Sequence, residues 1–125
     1  MHIGIDASRA LKGIRTGTEH YSANLLRELT VCPGARAHQF SCYVNSDESD
    51  PRALFDFDLP AGFRVRAIPF PRLWTHLRLS REMAQHPPRV LFVPAHVVPV
   101  IHPRCTVVTI HDLGYLYYPE AHTRS

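Results

Sequence analysis

The sequence has no Gly-x-Gly-x-x-Gly run and no Gly-Lys-Ser/Thr, so neither the dinucleotide fingerprint nor a P-loop is present. It also lacks Gly-x-Ser-x-Gly, which leaves a serine hydrolase without support. Cysteine is scarce. Cys32, Cys42 and Cys105 form no Cys-x-x-Cys, which argues against a thiol redox motif and a zinc ribbon. Two of the three fall in apolar surroundings and read as reduced core thiols of an intracellular protein. Histidine is plentiful, but His96, His102, His111 and His122 show neither HxH nor HxxxH spacing, so no metal site is expected.

Long hydrophobic runs are missing as well. The first apolar stretch, Ile3 to Ile5, is too short for a signal peptide. The longest, Val90 to Ile101, is broken by Pro94, His96 and Pro99 and does not span a bilayer. The net charge is +3, with the basic residues scattered rather than gathered into a stripe. That pattern argues against nucleic acid and is compatible with a phosphate-bearing ligand or an anionic membrane surface. The reading is a cytoplasmic protein, with room for peripheral contact at the inner face of a membrane.

What is present is a single unit of 125 residues with ordinary globular content, 45% hydrophobic and 20% charged. His2-Ile3-Gly4-Ile5-Asp6 reads as a first strand, with Asp6 at its carboxyl end. A loop with Arg9, Lys12, Gly13 and Arg15 follows. Thr16 and Glu19 then have the spacing of a capping box, opening a helix with the apolar stripe Tyr21, Leu25, Leu26 and Leu29. Gln39 to Asn45 and Phe63 to Ile68 read as the second and third strands, separated by an acidic loop with a short helical piece.

Arg72 to Gln85 reads as a second helix, with Leu73, Leu77 and Ala84 on one side and Trp74 beside them. His86-Pro87-Pro88 stops it. Arg89 to Val93 and Cys105 to Ile110 are the fourth and fifth strands. The link between them is too short and proline-rich for a crossover helix. Cys105 to Ile110 is uncharged and β-branched, as a strand buried on both faces would be. Residues 114–125 read as turn-like. This order predicts an α/β fold, a Rossmann-like doubly wound parallel sheet, truncated after the fifth strand.

Two places invite chemistry. The fifth strand ends at His111-Asp112, and ligands of open α/β sheets sit beyond the carboxyl ends of the strands. Asp112 could orient the imidazole or cap the following turn. The other is the start of the first helix. Its free N–H groups and dipole favour a phosphate at Gly17 and Thr18.

The chain resembles the N-terminal half of the retaining glycosyltransferases of group 1 (family 4), which have the two-domain GT-B fold. The motifs that carry the resemblance occur in order. They are Ile3-Gly4-Ile5-Asp6-Ala7 with Lys12-Gly13 and Thr16-Gly17-Thr18, then Leu73-Trp74, Pro94-Ala95-His96, Val107 to Leu113, and Tyr118-Pro119-Glu120. Thr75-His76 stand where one subgroup of that family often has Glu-Gln.

The resemblance implies a sugar transfer from a nucleotide-diphosphate donor to a carbohydrate or lipid-linked acceptor, with retention of configuration. Thr16, Gly17 and Thr18 would approach the donor pyrophosphate, and His111 would lie beside the transferred sugar as the catalytic residue. Arg15, His96 and Asp112 fall on the acceptor or cleft side. No cofactor or metal is implied beyond the donor itself. The donor is held mainly by a C-terminal domain bearing two glutamates separated by seven residues, and no such pair occurs here. That domain is the partner the fragment lacks, so residues 1–125 alone are expected to be inactive. A free-standing α/β binding or regulatory domain, with a structural His-Asp, is the alternative.

Overall fold

The computed structural model describes residues 1–117. The five expected strands all form: β1 (His2–Asp6), β2 (Gln39–Val44), β3 (Phe63–Ala67), β4 (Val90–Val93) and β5 (Thr106–Val108). The helices are α1 (Gly17–Val31), α2 (Ser80–Gln85) and the single turn α3 (Gly114–Tyr117). That last turn is helical where a plain turn was expected. Tyr118-Pro119-Glu120 and His122 lie outside the described residues.

All strand pairs are parallel, in the order β3-β2-β1-β4-β5. The chain leaves β1 toward β2 on one side and returns from β3 to β4 on the other. A crevice therefore opens where β1 and β4 adjoin, at their carboxyl ends. The architecture is the doubly wound α/β class expected from the element order.

Both sheet faces carry a core. On one face Ile5, Phe40, Cys42, Val44 and Phe63 pack with Ala23 and Leu26 of α1. Phe40 and Phe63 stack there with centroids 4.3 Å apart. On the other, Tyr43, Leu91 and Val93 pack with Trp74, Leu79 and Met83. Alternate residues of β2 thus enter different cores, and a side chain such as the fully buried Leu91 contributes about 1.5–3 kcal/mol. Burial pushes the Cys42 thiol up to about 12, so it is an inert core group.

Three expectations are corrected. The helix α1 buries Ser22, Ala23 and Leu26 rather than the full leucine stripe, and Tyr21 is exposed. Small side chains let the helix lie close to the sheet, and Ser22 Oγ satisfies itself on the Thr18 carbonyl at 2.8 Å. The second helical segment begins at Thr75, not Arg72, with a π turn over Thr75–Leu79 closed by Leu79 N–H to the Trp74 carbonyl at 2.9 Å. That wider turn shifts the buried stripe to Trp74, Leu79 and Met83, leaving Leu73, Leu77 and Ala84 exposed.

The third correction concerns β5, which is not buried on both faces. It is the sheet edge, paired only with β4, and Val107, Val108 and Ile110 are 51%, 37% and 60% exposed. Cys105 and Cys32 are exposed for want of cover, so Cys42 alone is a core thiol. Among the described residues no helix is long and apolar enough to cross a membrane.

Gly4 marks the tightest approach in the sheet. A Cβ there would stand 2.8 Å from Pro88 Cγ and 2.9 Å from Tyr43 Cε2. Gly4→Ala should destabilise the chain by about 1–3 kcal/mol, the usual cost of overpacking. Gly17→Ala, with no atom within 4 Å of the added carbon, should not. Urea unfolding of the two variants checks this, and equal midpoints would show that the sheet relaxes around the extra methyl.

Candidate functional site

At the switch point the carboxyl ends of β1 and β4, the start of α1 and the π turn enclose a cleft of about 310 Å³. Asp6, Arg9, Thr16, Thr18, Trp74, Thr75, His76 and His96 are among its lining residues. Each element sets one wall. Asp6 ends β1 and is 4% exposed, with its Oδ1 accepting from Ser8 N–H at 3.1 Å and Ser8 Oγ at 2.6 Å. Burial holds the Asp6 carboxyl above its ordinary value, and the Ser8 bonds and the Arg9 charge only partly offset this.

Trp74 is fixed by its Nε1–H to the Ile68 carbonyl at 2.8 Å. Beside it, Leu73 adopts a left-handed φ of 53°, an uncommon conformation for a residue with a branched side chain. Strained backbone and a π turn together at a cleft wall are typical of functional sites.

The start of α1 carries the expected capping box, with Glu19 accepting from Thr16 N–H at 3.0 Å and from the Thr16 hydroxyl. Arg9 Nη1 adds an ion pair to the same carboxylate at 2.9 Å. The Thr16 and Arg9 bonds hold Glu19 below its ordinary value against a raising effect of burial. Thr16 and Thr18 line the cleft. Gly17 lies in the same first turn, with open space where a side chain would be. An acidic side chain thus already sits at the helix start where a ligand phosphate was expected.

His111 stands at the end of β5, beside the cleft rather than among its lining residues. Its Nε2 lies 2.8 Å from the Pro94 carbonyl oxygen. A carbonyl only accepts, so Nε2–H is the donor in this bond. Tyr21 meets the ring edge-on, with centroids 5.1 Å apart, and its hydroxyl lies 3.3 Å from Thr109 Oγ1. Asp112 does not orient the imidazole. Its Oδ1 accepts from Gly114 N–H at 2.9 Å and caps the following turn.

His96 is an exposed cleft residue. Arg15 is not in the cleft lining: its side chain, 9% exposed, grips Asp56 at 2.8 and 3.0 Å and the Leu11 carbonyl at 2.9 Å. It ties the first loop to the segment after β2. The sequence's one Asp-x-Asp, Asp56-Phe57-Asp58, is likewise away from the cleft, with Asp56 shared between Arg15 and Arg27. Among the described residues no group of three or more acidic, His or Cys side chains is placed to hold a metal ion.

Neither Asp6 nor His76 is among the site residues expected from the sequence, and the Leu73 strain is not legible in it. Asp6 had a usable signal, an acid closing an apolar strand at the switch point. Leu73 had none.

Comparison with protein-family models, with curated proteins and with solved structures gave no match for this chain.

Proposed function

We propose that the chain is the acceptor-side half of a retaining glycosyltransferase, moving a sugar from a nucleotide-diphosphate donor to a carbohydrate or lipid-linked acceptor. The observation that carries this reading is the cleft at the switch point, walled by carboxylate, hydroxyl, imidazole and indole groups together. Carboxylates and imidazoles pair with sugar hydroxyls, and an indole offers an apolar face to a sugar ring. In this proposal a C-terminal domain outside residues 1–125 closes over the cleft, brings most donor contacts and excludes water. Glu19 and Arg9 then separate as the donor pyrophosphate takes the Gly17 and Thr18 N–H groups, with Arg9 freed to pair with it.

In the intact protein one class of nucleotide sugar should raise the melting temperature, and turnover should persist in chelator. Residues 1–125 alone should show no turnover. Robust turnover by these residues, or an activity lost to chelator and restored by manganese, would overturn the reading.

The exposed apolar edge at Val107, Val108 and Ile110 favours a second reading, a binding domain that docks a partner along β5. Indifference of the intact protein to every nucleotide sugar would favour it.

A further inference from the structure

Parallel sheets ordinarily have both faces covered, yet the amino-terminal end of the α2 face is polar and open. His2, Gln39, Ser41, Arg64 and Arg66 line a cleft of about 670 Å³ there. Register explains their grouping: His2 lies beside Gln39, Ser41 beside Arg64 and Tyr43 beside Arg66, so the side chains share one face. His2 Nε2 lies 2.8 Å from Ser41 Oγ. Arg66 reaches Glu82 at 2.8 Å, and the same carboxylate also faces Arg78 at 3.8 Å and His86 at 3.4 Å.

Arg64 has no acidic partner among the described residues. One carboxylate against three guanidiniums leaves a net positive field. The His2 imidazole registers it, being held below its ordinary value by burial and then by Arg66 and Arg64, with the Met1 ammonium adding to them. The neighbouring Tyr43 hydroxyl is fully buried and lacks a hydrogen-bond partner among the described residues.

We propose that this cleft is a second ligand site, one that takes the phosphate of a phosphomonoester between Arg64 and Arg66. Two guanidinium forks can each offer paired N–H donors to a tetrahedral oxyanion, with the Ser41 hydroxyl and Gln39 amide as neutral donors. None of its lining residues lines the cleft that holds Asp6 and His96, so it stands or falls independently of the sugar-transfer reading. A soluble phosphate ester and the headgroup of phosphatidic acid both present this chemistry.

The test is a titration of the chain with inorganic phosphate, following the Arg Nε–H signals and the His2 ring protons by NMR. Saturable shifts at Arg64 and Arg66 are expected, together with a rise in the His2 pKa as the bound dianion offsets the arginine field. Arg64→Ser, an exposed position, should abolish both and leave the melting temperature unchanged. Absence of saturable shifts, shifts centred on Thr16 to Thr18, or shifts that survive in Arg64→Ser would overturn the proposal.

Vesicles of phosphatidylcholine with phosphatidic acid or with phosphatidylserine separate the two sources. Capture by phosphatidic acid vesicles alone, competed by phosphate, assigns a lipid headgroup. Phosphate binding without capture assigns a soluble ester. Equal capture by both vesicles, insensitive to Arg64→Ser, would count against the site.

Discussion

Replacing His111 by alanine in the intact protein is expected to lower kcat about a hundredfold, the scale of losing one preorganised polar contact. The geometry supports an effect on rate rather than on fold. The ring is exposed at the end of an edge strand, and its Nε2–H is held by the Pro94 carbonyl at 2.8 Å. With Nε2–H held there, Nδ1 is the ring atom left to accept from a sugar hydroxyl in the proposed reaction, and fixing the ring beforehand avoids reorganisation at the reacting centre. Truncation removes no buried apolar surface, so the melting temperature should stay close to that of the parent. His20→Ala, on the exposed side of α1, is the control. Steady-state kinetics with melting curves on the same preparations decide the matter. Near-normal turnover, or a loss of rate matched by a loss of stability, would return His111 to a structural role.

Asp6→Asn is expected to separate function from stability. Asp6 lines the switch-point cleft, and replacing its carboxyl group by an amide should cost about tenfold in kcat/KM, the scale of one hydrogen bond. Stability should move the other way. Because burial raises the folded-state value above 3.8, the folded chain binds more protons than the unfolded chain as pH rises from that point. Stability therefore declines across the window between 3.8 and the folded-state value. Asparagine keeps an oxygen for the two Ser8 bonds and does not ionise. The variant should lose that decline and be at least as stable as the parent at neutral pH. Urea midpoints measured between about pH 4 and pH 7 test the linkage. An Asn variant with full activity would leave Asp6 as a turn cap only.

These expectations depend on how local pattern and global packing divide the work. The capping box at Thr16 and Glu19 was legible because both partners lie within one helical turn. The absence of a crossover helix between β4 and β5 followed from three prolines, a local constraint on backbone N–H groups. The roles of Arg15 and Asp112 were not legible. Arg15 is taken by Asp56, 41 residues away, and nothing near either residue announces the pairing. Asp112 had two plausible partners in its neighbourhood, and geometry alone chose the Gly114 amide.

By itself the sequence determined the elements and their kind: five short strands, a capped helix after the first, and an acid or His-Asp closing two of them. Those are consequences of side-chain period, capping chemistry and proline, each acting over a few residues. Only the tertiary structure decided the strand order β3-β2-β1-β4-β5 and, with it, which strand ends meet. That order put Asp6 and His96 around one cleft and His111 beside it, and left β5 at the edge, exposed despite a composition suited to burial. The physical reason is that an apolar run records what a strand can bury, whereas its neighbours in the sheet decide what it does bury.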